Sequence, residues 1–149
     1  MRVVILAAAL AACPALSFAA TATATAMTPR GVPIATQCQG PLAAKGHKIA
    51  RDFDLALGQD PAACFGQGHL YDGNSNQLVV TAPSKACPGG TMLDVYEQAR
   101  SGTWGSLLEK PLCAASVSFG PKNPWGAWML TIDGRHYDQR GAYYTPATY

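Results

Sequence analysis

Hydrophobic and polar positions alternate along residues 48–57. Ile49, Arg51, Phe53, Leu55 and Leu57 share one parity, and Lys48, Ala50, Asp52, Asp54 and Ala56 share the other. A period of two predicts a strand with one buried face. Ile49, Phe53 and Leu57 also recur at every fourth position, so the segment fits a helix as well; the alternation favours the strand. Asp60-Pro61 has the form of an N-cap followed by a first-turn proline and predicts one short helical turn into Cys64.

Beyond Cys64 the pattern favours strands. Residues 69–71 precede the turn cluster 72–76, and residues 77–81 are rich in β-branched side chains. Residues 83–90 form a loop. Residues 91–98 and 103–108, separated by Ala99-Arg100-Ser101-Gly102, are expected to form a hairpin. Thr91 and Asp94 could instead cap a helix ending at Gly102, but Val95 and Tyr96 favour the strand. Residues 112–119 and 128–132 are further strand candidates, split by a Gly/Pro/Asn segment. Asp133-Gly134 is a type I′ turn dipeptide that predicts pairing of 128–132 with 135–139. About six or seven short strands predict a mainly β fold, a small antiparallel sandwich or a partly open barrel with room for one short helix. Residues 38–149 form the expected single domain.

The N-terminus reads differently. Arg2, an apolar run over residues 3–12, Pro14 and the small-residue site Ser17-Phe18-Ala19 have the layout of a signal peptide over residues 1–19. Residues 20–37, low in charge and without period, read as a flexible leader. The segment Leu10-Ala11-Ala12-Cys13 resembles a bacterial lipobox, which implies a lipidated Cys13 and a membrane-anchored lipoprotein. Against this stand the short leader, Pro14 in second place and the apolar residues that follow. Ordinary cleavage, giving a periplasmic or secreted protein, is the favoured expectation. No later stretch is apolar enough to span a bilayer.

Cysteine count then changes the picture. With Cys13 set aside, Cys38, Cys64, Cys87 and Cys113 remain, an even number in a chain expected to be exported. Pairing sequence neighbours, Cys38 with Cys64 and Cys87 with Cys113, closes two loops of about 25 residues, each contributing about 3 kcal/mol in the chain-entropy view. No cysteine or histidine spacing matches a zinc site.

Charge narrows the function classes. Removing Arg2 from the eleven Lys and Arg leaves ten against nine Asp and Glu, a net charge of +1. So small a charge argues against nucleic-acid binding and against an electrostatic membrane anchor. Asp72, Asn74 and Asn76 have the spacing that opens a calcium loop. Gln77 and Pro83 stand where the loop's glycine and bidentate glutamate belong, so an Asx-type turn is expected instead. No metal or cofactor is implied. Asp133, His136 and Asp138 form the one polar constellation suited to acid/base chemistry, the basis of an alternative reading as a small exported hydrolase. No nucleophile elbow or metalloprotease motif accompanies them.

The aromatic run from Trp125 to Tyr149 points elsewhere. Trp125 in Pro124-Trp125-Gly126, together with Tyr143 and Tyr144, has the character of a binding surface for a protein or a glycan. The small periplasmic lysozyme inhibitors share size and class, but Ser101-Gly102-Thr103-Trp104-Gly105 puts glycine where their motif has tyrosine. Non-catalytic binding of a macromolecule, as an inhibitor or envelope component, is the favoured expectation.

Overall fold

A computed structural model describes residues 30–71 and 76–148. The expected signal peptide, Cys13, the calcium-like spacing from Asp72 and the terminal Tyr149 lie outside the described residues, wholly or in part.

The order is α1 (Pro41–Asp52), a 3-10 turn (Ala56–Gln59), β1 (Cys64–Gly68), β2 (Gln77–Pro83), β3 (Thr91–Gln98), β4 (Trp104–Ser106), β5 (Leu112–Cys113), β6 (Val117–Lys122), β7 (Trp128–Ile132), β8 (Arg135–Arg140) and β9 (Tyr143–Pro146). Two antiparallel sheets result. The first runs β1-β2-β3-β4, with β5 also paired to β3, and the second is the meander β6-β7-β8-β9. The mainly β expectation, with a sandwich of two sheets and one helix, is met.

The sheets face each other across a core that includes Val79, Leu93, Val95, Val117, Phe119, Leu130 and Ile132. A second core lies on the other face of the first sheet, where Phe65, Leu78, Val80 and Tyr96 meet Ala43 and Ala50 of α1. Central strand β2 is therefore buried on both faces, Val79 toward the second sheet and Leu78 and Val80 toward the helix. This explains its near-continuous apolar sequence.

The strand expected over 48–57 is overturned. Residues 41–52 are helical, opened by Gly40 and Pro41 at the first turn, a position where the missing proline N–H costs nothing. The buried face of α1 is Ala43, Gly46 and Ala50. Small side chains give a weak hydrophobic signal, so the alternation that includes Ile49, Phe53, Leu55 and Leu57 outweighs it in the sequence. Gly46 permits the close approach: a Cβ there would stand 2.3 Å from the Phe65 ring. The His47 ring meets Phe65 edge-on at 4.7 Å, and its Nδ1 donates to Gly58 O at 3.2 Å. The helix ends at Phe53, and Asp54 turns the chain with a positive φ of 55°.

Three boundaries also move. Asp60 closes an Asx turn, its Oδ1 accepting from Ala62 N at 2.8 Å, and the helical turn precedes it. Residues 69–71 lie past β1; Leu70 N donates to the buried Gln77 side chain at 2.6 Å instead of joining a ladder. Residues 112–119 are two strands in different sheets, because the chain crosses between layers at residues 114–116. The expected leader also ends early. Ile34 is buried in the inter-sheet core, Ile34 N donates to Val117 O at 2.8 Å, and Gln37 bridges to Phe65.

Both disulfides form in the expected pairing. Cys38–Cys64 ties the entry of α1 to the start of β1, and Cys87–Cys113 ties the β2–β3 loop to β5.

Candidate functional site

The second sheet places the aromatic candidates. Its strands are antiparallel in sequence order, so the β6–β7 and β8–β9 connections leave the same end of the sheet. Asn123 organises the first connection. Its Oδ1 accepts from Trp125 N at 3.0 Å and Ala127 N at 2.9 Å, while its Nδ2 donates to Asp138 Oδ1 at 3.1 Å. Asn123 N also donates to Ala127 O at 2.8 Å, and Gly126 takes a positive φ of 83°. The turn is thus tied to β8 through a carboxylate that is itself buried. Trp125 is 77% exposed at its tip, and Tyr143, 42% exposed, starts β9 at the same end.

Tyr144 belongs to the interior instead. It is 2% exposed and packs in the inter-sheet core, so it offers no surface to a partner. Its hydroxyl lies 2.9 Å from that of Tyr71 and donates to Trp128 O at 3.3 Å. Burial, then the neighbouring Tyr71 hydroxyl, pushes its phenol far above the ordinary range. Alternation along β9 sends adjacent tyrosines to opposite faces. Trp128 is engaged as well, with Arg30 over its ring at 3.5 Å and Lys122 at 4.4 Å.

The acid/base constellation does not assemble. The exposed His136 meets Thr131 across the strand pair, with Nδ1 3.0 Å from Oγ1. Thr131 donates its one proton to Gly120 O at 2.7 Å, so His136 Nδ1 is the donor in the pair. Asp133 staples the crossing between sheets: its carboxylate accepts from Ala115 N, Ser116 N and Ser116 Oγ at 2.8–3.1 Å. Asp138 is bonded to Asn123. Neither carboxylate bonds His136 among the described residues, although residues 133–138 sit together in sequence.

A groove that the sequence did not indicate lies between α1 and the outer face of the first sheet, with a volume of about 260 Å³. Its helical wall is Leu42, Lys45, Ile49 and Phe53, spaced three or four apart so that they form one stripe. Its sheet wall takes Gln67 from β1, Leu78 from β2, Gln98 from β3 and Trp104 from β4, with Asn76 beside them. Asn76 Nδ2 donates to Gln98 Oε1 at 3.2 Å, and Gln98 Nε2 to Gly102 O at 3.3 Å. The helical stripe is visible in the sequence once α1 is known, but only the sheet makes it a wall.

On the same face of that sheet Asp94 is buried. Ser106 Oγ lies 2.7 Å from its Oδ1, and its own neighbour Val95 N donates to the same oxygen at 2.8 Å. Burial raises its pKa above the usual carboxylate value, partly offset by hydrogen bonds from Ser106, Tyr96 and Val95. Among the described residues, no group of three or more His, Cys, Asp or Glu is placed to hold a metal ion. No helix of the described residues is long and apolar enough to cross a membrane. No protein-family model, curated protein or solved structure matches this chain.

Proposed function

We propose that this protein is an exported, non-catalytic binding protein that engages a protein or glycan partner through the Trp125 end of its second sheet. Two disulfides in a small β-rich fold fit an exported, disulfide-stabilised protein. The observation that carries the binding role is the held turn. A tryptophan 77% exposed would ordinarily gain nothing from an ordered support, yet Asn123 makes three side-chain bonds that fix its loop. An indole presented on a preordered turn loses little conformational entropy on association, which is what an interface anchor requires. Tyr143 extends the aromatic surface at the same end. The partner is an inhibited enzyme or a component of the cell envelope.

Immobilised mature protein, with its disulfides intact, tests this against extract from its own compartment. The expected result is a partner retained by the native protein and weakened at least about tenfold by Trp125→Ala, a loss of about 1.4 kcal/mol, with Tyr143→Ala weaker in effect. Trp125 is a surface position, so the variant should fold. Equal retention by Trp125→Ala and native protein would remove the proposal.

A further inference from the structure

The groove beside α1 has features of a small-molecule site that the Trp125 turn does not share. Its surface is mainly apolar, from Leu42, Ile49, Phe53 and Trp104, and Phe53 remains 39% exposed beside the concavity. Two polar side chains in its lining, Lys45 and Gln67, make no side-chain hydrogen bond or ion pair among the described residues. Lys48, on the same helix, is paired with Asp52. The described lining contains one cation and no acid.

Those facts select a ligand by charge and size. About 260 Å³ lies just below the usual range of about 300–1,000 Å³ for small-ligand pockets, so the occupant is a small molecule. Lys45 is an exposed ammonium and the described lining holds no acid, which favours an anion whose charged end stays at the solvent side while its apolar body enters the groove. An unpartnered carboxamide adds a neutral N–H donor for the second oxygen of a carboxylate.

We propose that this groove binds a small amphipathic monocarboxylate of medium-chain acyl or aryl type. Its apolar body lies between Ile49 and Trp104, and its carboxylate takes hydrogen bonds from Lys45 and Gln67. This reading is independent of the Trp125 partner and survives that partner's absence.

Octanoate, with octanol as the uncharged analogue, tests it on the full disulfide-bonded protein by amide chemical-shift titration. Octanoate is expected to give saturable shifts confined to α1 and the facing ends of β1–β4. Lys45→Gln should weaken octanoate by about tenfold or less, the worth of one partly exposed charge-assisted bond, and leave octanol unchanged. Phe53→Ser, another partly exposed position, should weaken both. Trp125→Ala should leave octanoate binding intact. Equal binding of octanoate and octanol would overturn the carboxylate assignment. Shifts mapping outside the groove, or no saturable shift up to about 10 mM, would overturn the site itself.

Discussion

At the scale of single residues, absence of a side chain matters as much as presence. Gly46 lets α1 rest against Phe65, where a Cβ would meet ring carbons at 2.3 Å. Gly46→Ala should gain about 1 kcal/mol of helix propensity but lose more to overpacking, for a net destabilisation of about 1–2 kcal/mol. Urea midpoints measure it; a more stable variant would mean the helix can lift off the sheet at little cost. Burial also makes Asp94 a pH-sensitive residue. Its carboxyl binds a proton more tightly in the fold than in the unfolded chain, because burial outweighs its hydrogen bonds. Its contribution to stability is therefore complete below the unfolded pKa and is lost as pH rises through the folded one. Glu97 acts in the same direction, raised by burial and partly lowered by Gln77. Asp94→Asn should flatten the decline in stability that sets in above the ordinary carboxylate pKa of about 4. An unchanged slope in the denaturation midpoints would assign that decline to other groups. Neither feature was legible in the residue itself, since alanine and glycine positions carry little pattern and a carboxylate ordinarily signals solvent.

At the scale of elements, local chemistry was readable where it acts over a few residues. Asp133-Gly134 turns β7 into β8 with φ of 45° and 79°, and residues 91–98 pair with 104–106 as a hairpin. The helix is hidden in the sequence pattern because its buried stripe is small and its large residues line a groove. Nothing in the pattern of residues 112–119 marks a change of sheet; the mark is Asp133, reaching back to Ala115 and Ser116. Asp133→Ala should cost about 1.5–3 kcal/mol, the range for hydrogen bonds to a charged group. Asp133→Asn should recover part of it by keeping an acceptor and tolerance for positive φ. Thermal unfolding of the two variants checks this, and equal melting temperatures for Asp133→Ala and native protein would deny the staple. Asn123→Ala should speed amide exchange at Trp125 and Ala127, whose N–H groups lose their acceptor, while Trp125 stays exposed. Unchanged exchange there would show that backbone bonds alone hold the turn.

At the scale of the whole molecule, the disulfides bind the layers at two places. Cys38–Cys64 secures the helix entry to the first sheet, and Cys87–Cys113 secures β5 beside the crossing to the second. Each closes a loop between cysteines 26 residues apart, so replacing either pair by alanines should cost about 3 kcal/mol. Denaturation with and without reductant measures the cost, and a loss well below about 1 kcal/mol would mean the two cores suffice. What the amino-acid sequence determined by itself was the class of fold and the turn-bound strands, because alternation and turn dipeptides act between near neighbours; of the three pairings its four cysteines allow, it favoured the one that the structure forms. Only the tertiary structure decided the partition of strands between two sheets, the seat of α1 on Phe65, the burial of Tyr144 beside exposed Tyr143, and the groove. Those depend on which distant surfaces meet, and whether a side chain is covered is a property of the assembled layers.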